Sequence, residues 1–146
     1  MRTQQLSDLT TTSLNVVAKK FLFSDLDPSF KRNPFTSDIY LKKDIEAVKN
    51  SIINIILTGN FERPFQPRFG GNIRQYLFEN LDDNTIDTIH SVITNIIDIY
   101  EPRAQVIGVY VNESDSDLNR LSITIQFKML STGQLADVTT ALERVR

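Results

Sequence analysis

The sequence contains no cysteine, so it offers no disulfide framework, no thiolate nucleophile and no thiolate metal site. Its single histidine, His90, leaves little imidazole chemistry, and no cofactor or metal is expected. No run approaches the roughly 18 apolar residues of a membrane span. The stretch Met1 to Thr12 is too polar for the apolar region of a signal peptide. A soluble chain made in the cytoplasm, with no membrane partner, is the expectation. Lysine and arginine form no block and the formal net charge is −2, so a phosphate backbone would find no broad electrostatic footprint. Nucleic acid is therefore not an expected partner. What is present is ordinary in amount: 40% hydrophobic and 23% charged residues over 146 positions, the profile of one globular domain able to bury a core.

Residues 1–20, which open rich in Gln, Ser and Thr, read as an N-terminal extension or arm, and 21–146 as the domain. Leu14, Val16 and Ala18, then Phe21 and Phe23, alternate with polar neighbours across a slip at Lys19-Lys20, which predicts a bulged strand. Asp25-Leu26-Asp27-Pro28 predicts a turn, and Phe30 to Tyr40 an irregular or extended segment. Between Leu41 and Thr58 the residues Leu41, Ile45, Val48, Ile52, Ile55 and Ile56 recur at helical spacing, with Gly59 as the stop. Pro64, Pro67, Gly70 and Gly71 make Asn60 to Asn72 a shaped loop. Ile73, Tyr76 and Leu77 predict a short helix, and Asp82, Asp83 and Asn84 offer caps for a longer one carrying Ile86, Ile89, Ile93, Ile96, Ile97 and Tyr100.

Past Pro102 the period changes to two. Val106 to Val111 and Leu121 to Met129 read as strands, with Asn112 to Asn119 as their loop. Ser131-Thr132-Gly133 predicts a hairpin turn into a last strand over Leu135 to Val145, with a terminal helix as the competing reading. The whole predicts an α+β fold, a small antiparallel or mixed sheet with two to three helices on one face and open-edged terminal strands.

Each candidate site has a plainer account beside it. Glu79, Asp82, Asp83 and Glu101 invite a glycosidase reading, which needs an acid paired with a base or nucleophile. Capping explains the aspartates, since a helix N-terminus favours acceptors and negative charge. His90 with Asp87 or Ser91 suggests a general base, but its spacing from Ile86 and Ile93 puts it on the apolar face of a helix. Gly70-Gly71-Asn72 lacks the lysine and hydroxyl of a phosphate loop. The stretch Arg63 to Gly71 interleaves arginine with aromatics, which suits stacking on a single strand of nucleic acid, or simply a loop pinned by Phe. At Tyr100-Glu101-Pro102-Arg103 the proline ends the helix and moves Glu101 out of the α region. An extended tripeptide there sets Glu101 and Arg103 on one side, as a surface ion pair worth under about 1 kcal/mol or as a clamp on a partner.

Three blocks in order carry a family likeness: Arg63-Pro64-Phe65 with Pro67 and Phe69-Gly70, then Leu77-Phe78-Glu79-Asn80, then Tyr100-Glu101-Pro102-Arg103, after the lead-in Phe23 to Pro28. From about Phe21 to Met129 the chain resembles the baseplate wedge proteins of contractile-tailed phages, the sheath initiators or gene product twenty-five family, which has relatives in type VI secretion baseplates. The resemblance implies a virion structural protein rather than an enzyme, present once per wedge. Its implied partners are a helical bundle of other wedge proteins, the first ring of sheath subunits, and the neighbouring tail tube or hub. It associates Glu101, Pro102 and Arg103 with the wedge contact, and with them the loop residues Arg63, Phe65 and Phe69. Sheath growth by shared strands would fall to the last segment, at Val138, Thr140 and Leu142. Some family members carry an old lysozyme label, which supplies the enzyme alternative.

Overall fold

Apolar residues one helical turn apart need a common surface to cover, and here that surface is one face of a three-stranded sheet. A computed structural model of the chain describes residues 22–79, 82–114 and 117–143. In chain order the elements are β1 (Ser24–Leu26), β2 (Leu41–Lys43), α1 (Ile45–Leu57), a 3-10 helix (Ile73–Phe78), α2 (Asp83–Tyr100), β3 (Ala104–Ser114), β4 (Asp117–Met129) and β5 (Leu135–Glu143). Strands β3, β4 and β5 form an antiparallel meander, and β1 pairs with β2 in a separate ribbon. The fold is α+β and its sheets are purely antiparallel.

Alternation along β4 builds the core. Leu121, Ile123, Ile125, Phe127 and Met129 are all buried, while Gln126 and Lys128 between them are exposed. Register places Val138 of β5 opposite Ile125, and Leu142 opposite Leu121, on the same inner face. Over them lie Val48, Ile52, Ile55 and Ile56 of α1 and Ile89, Ile93, Ile96 and Ile97 of α2. α2 leans chiefly on β3 and α1 on β5. Each such aliphatic contributes about 1.5–3 kcal/mol by burial, which far exceeds any surface polar term.

Several boundaries differ from the sequence expectation. The predicted bulged strand over Leu14 to Phe23 falls largely outside the described residues, and Leu22 and Phe23 are not in a strand. The turn expected at Asp25 to Pro28 begins later, because Ser24–Leu26 pairs with Leu41–Lys43. The chain reverses at Asp27, whose carbonyl accepts from Phe30 N and whose carboxylate accepts from Ser29 N. α1 starts at Ile45 rather than Leu41, since Asp44 has φ 48 and a right-handed helix cannot run through it. Its carboxylate instead accepts from the amides of Leu22 and Phe23. Thr58, not Gly59, ends α1, with its amide and its hydroxyl both on the Asn54 carbonyl. The loop expected over Asn112 to Asn119 is mostly strand, since β3 runs to Ser114 and β4 starts at Asp117. The hairpin at Ser131 to Gly133 is as expected, with Gly133 at φ 70 and its amide bonded to the Met129 carbonyl. The last segment is a strand, not a helix.

Candidate functional site

The helix-to-strand corner is built from the end of α2. Glu101 follows the last helical residue, and its amide still donates to the Ile97 carbonyl. Pro102 then removes the next donor. The tripeptide is not extended as the sequence suggested. The Glu101 carbonyl accepts from Ala104 N at 3.1 Å, closing a tight turn that feeds β3. Within that turn Arg103 grips Glu101 by both edges, Nε on Oε1 and Nη2 on Oε2 at 2.7 Å. Ser51, from α1, sits close enough to help lower that carboxyl.

This is no surface pair, because Glu101 is only 2% exposed. Burial pushes its carboxyl up, but the hydrogen bonds from Arg103 and Ser51 and the guanidinium charge outweigh that and leave it below its ordinary value. The Glu101 hydrogen bond in turn raises the Arg103 guanidinium. Arg103 stays about one-third exposed, lies over the Phe23 ring at 5.1 Å, and feels the Asp25 charge of β1. Glu101 is thus committed inside the chain, and only Arg103 faces outward.

Next to the corner, the loop from Gly59 to Asn72 is pinned by aromatics. The Tyr100 hydroxyl donates to the Arg68 carbonyl at 2.9 Å, its ring meets Phe69 at 4.8 Å, and the Arg63 guanidinium covers Phe69 from 3.8 Å. Gly70 has φ 90, and a Cβ there would stand 2.2 Å from the Thr58 carbonyl oxygen. Only glycine fits that close approach. Of the loop's site candidates, Phe69 is buried and anchors the loop, whereas Phe65 is fully exposed. Arg63 is exposed and reaches back over Phe69.

The β5 candidates all turn inward. Val138 is 7% and Leu142 2% exposed, and Thr140, opposite Ile123, shares their face. Anything pairing with β5 meets its main chain rather than these side chains. Among the described residues β5 is an edge strand, as is β3. The two edges differ: β3 carries a register break between Val106 and Gly108, while β5 keeps unbroken pairing from Leu135 to Glu143.

The catalytic alternatives find no support in this geometry. Asp82 is the cap of α2, accepting from Thr85 N at 2.8 Å, and that backbone bond lowers its carboxyl. Glu79 and Asp83 are exposed. A glycosidase acid needs its carboxyl raised, opposite to the direction at Glu101 and Asp82. His90 is exposed and not on the apolar face, because Ile89 takes the inward position beside it. Among the described residues no three His, Asp or Glu side chains converge as metal ligands. Ser51 and Phe23 were missed as partners of the corner. Neither carries a local motif, and both reach it only through the fold.

These observations define an α+β domain whose charged corner is paired internally and whose β5 edge is open among the described residues. The model of the family baseplate wedge protein gp25 matches residues 42–134. Baseplate wedge protein gp25 of Enterobacteria phage T4 is 34% identical over 109 residues, 75% of this chain and 81% of that protein. The chain belongs to the baseplate wedge protein gp25 family. The same fold occurs in a putative tail lysozyme from Geobacter sulfurreducens, with TM-score 0.66 and 23% identity over 74% of this chain and 97% of the other. It occurs again in the baseplate of the anti-feeding prophage, with TM-score 0.59 and 21% identity, covering 85% and 87% of the two chains. The postcontracted pyocin R2 baseplate holds a third, with TM-score 0.52 and 13% identity over 84% and 100%.

Proposed function

We propose that this chain is a non-enzymatic joint of a contractile tail baseplate. It docks on other wedge proteins through the Tyr100–Arg103 corner and the Arg63–Phe69 loop, and starts the sheath by accepting a strand on β5. The tail tube or hub lies beside it in this arrangement, and assembly follows synthesis in the host cytoplasm. The β5 edge carries the reading: its pairing with β4 runs unbroken from Leu135 to Glu143, leaving a straight row of main-chain donors and acceptors for a subunit of the first sheath ring. A bulge like that in β3 protects an edge from such pairing. Family membership and fold neighbours from two baseplates support the setting.

Proline substitution along β5 tests it. Thr139 and Thr140 are successive strand residues, so one amide points at β4 and the other away from it. Of Thr139→Pro and Thr140→Pro, one breaks the ladder and unfolds the sheet, and the other leaves a folded chain with a blocked edge. The folded variant is expected to enter baseplates that carry tubes without extended sheath. Normal sheath on those particles in micrographs would refute strand acceptance at β5.

A further inference from the structure

The chain carries one short pattern twice, once on each side of α1: Phe30-Lys31-Arg32-Asn33-Pro34-Phe35 and Phe61-Glu62-Arg63-Pro64-Phe65. In each, a first phenylalanine precedes a cation and then a proline-led second phenylalanine. The fold treats the two alike. Phe30 and Phe61 both have left-handed backbone, φ 50 and φ 67, and rings 65% and 82% exposed. The closing residues Phe35 and Phe65 are 94% and 101% exposed, and Phe65 is also left-handed at φ 67.

Left-handed backbone is unfavourable for a bulky L-residue, and glycine relieves it. These rings are largely in water, so little burial compensates the strain. Strain and exposure recurring together in one pattern do nothing for the folded chain by itself, and point instead to a surface kept for another molecule. Both tips are also held in place. Phe35 N donates to Asn33 Oδ1 and Asn33 N to the Asp38 carbonyl in the first, and Phe61 N donates to the Pro67 carbonyl in the second. The corner braces both: Arg103 lies on Phe23 at the foot of the hairpin, and Tyr100 holds Arg68 in the loop.

We propose that Phe35 and Phe65 are twin aromatic anchors for a protein partner whose apolar pockets are rimmed by carboxylates. A main chain fixed by proline and turn hydrogen bonds leaves only the two torsions of each ring to order on docking, a small entropy cost for an interface anchor. The cations set the partner's charge. Lys31 and Arg32 stand between Phe30 and Phe35 with no acid among them, and Arg63 and Arg68 flank Phe65 against the single Glu62. Nucleic acid fits less well, because the whole chain has net charge −2 and the two rings sit on separate tips rather than on one stacking platform. The proposal rests on the wedge-contact reading for Phe65 and extends it to a hairpin outside that reading.

The test places p-benzoylphenylalanine at position 35 or 65 in assembled tails and maps the photoproducts. Both positions are expected to join another tail protein, within an apolar segment bearing Asp or Glu. Cross-links to nucleic acid, to lipid or to a second copy of this chain, or none at position 35, overturn the proposal. Phe65→Gly and Phe35→Ser supply a second readout. The urea midpoint of Phe65→Gly is expected to stay level or rise, and each variant should yield at least tenfold fewer assembled tails. A lower midpoint for Phe65→Gly, or normal tails from both variants, also overturns it. Failure here leaves strand acceptance at β5 untouched, since the proline variants read that separately.

Discussion

The corner at Glu101 and the edge at β5 are opposite kinds of surface. At the corner every strong group already has a partner: Glu101 holds Arg103 and Ser51, and Tyr100 holds the loop. At β5 Val138, Thr140 and Leu142 face inward, and among the described residues no strand lies beside its outer row of main-chain groups. A closed site resists change and transmits it to the fold; an open edge tolerates change and transmits it to assembly. Variants at the corner therefore report on stability, and variants at the edge on partners. A charged motif at a helix end reads in sequence as a contact, but here its first task is to hold the chain's own elements together.

Breaking the corner should have the largest effect. Arg103→Ala leaves the Glu101 carboxylate buried with only Ser51 and the backbone, and is expected to lower stability by about 3 kcal/mol in urea denaturation. Glu101→Ala should cost less, because the freed guanidinium is about one-third exposed already and can reach water. A reversed order would mean that Arg103 stabilises mainly through Phe23 rather than through the ion pair. An assembly defect in Arg103→Ala therefore does not by itself mark a contact residue.

Gly70→Ala comes next. Its φ of 90 and the 2.2 Å approach of an added Cβ to the Thr58 carbonyl force the backbone to move, which should cost about 2 kcal/mol. Because Phe69 precedes Gly70 and packs on Tyr100, the same change should loosen the Arg63 loop, seen as faster amide exchange from Phe61 to Phe69.

Acid offers a gentler way to open the corner. The Glu101 carboxyl lies below its ordinary value when folded, so its contribution is fully present above the unfolded glutamate pKa, about 4.3, and is lost as pH falls through the lower folded value. Glu101→Gln should flatten that part of a stability-against-pH curve. An unchanged slope would place the acid sensitivity elsewhere, for example at the cap Asp82, which is lowered by its bond from Thr85.

The sequence made these regions legible to different degrees. Periodicity sufficed for α2 and β4, because Ile89 to Ile97 and Leu121 to Met129 follow periods of a helix and a strand without interruption. It failed at Leu41, where a helical step to Ile45 hid a strand and the left-handed Asp44 between them. Pro102 correctly ended α2, but whether Glu101 was buried depended on Ser51 and Phe23, many residues away. His90 missed its expected face by one position, since a helix of several isoleucines places neighbours on its margin. The echo of Phe30 to Phe35 in Phe61 to Phe65 is too short and too loosely spaced to read as an internal repeat, and it emerged only with the backbone angles.

The smallest expected effect lies on β5 and bears most directly on what an open edge recognises. Thr139 faces away from the helices and shares a hydroxyl contact of 3.0 Å with Thr124 across the strands. Thr139→Val removes that bond from an exposed site while keeping the β-branched shape, so stability should change by less than about 0.5 kcal/mol. Sheath yield should not change either, because a pairing strand uses amides and carbonyls that the substitution leaves intact. If Thr139→Val abolished the sheath while the chain stayed folded, the incoming segment would be reading the outer face of β5 by its side chains. β5 would then act as a sequence-specific surface rather than as a bare edge.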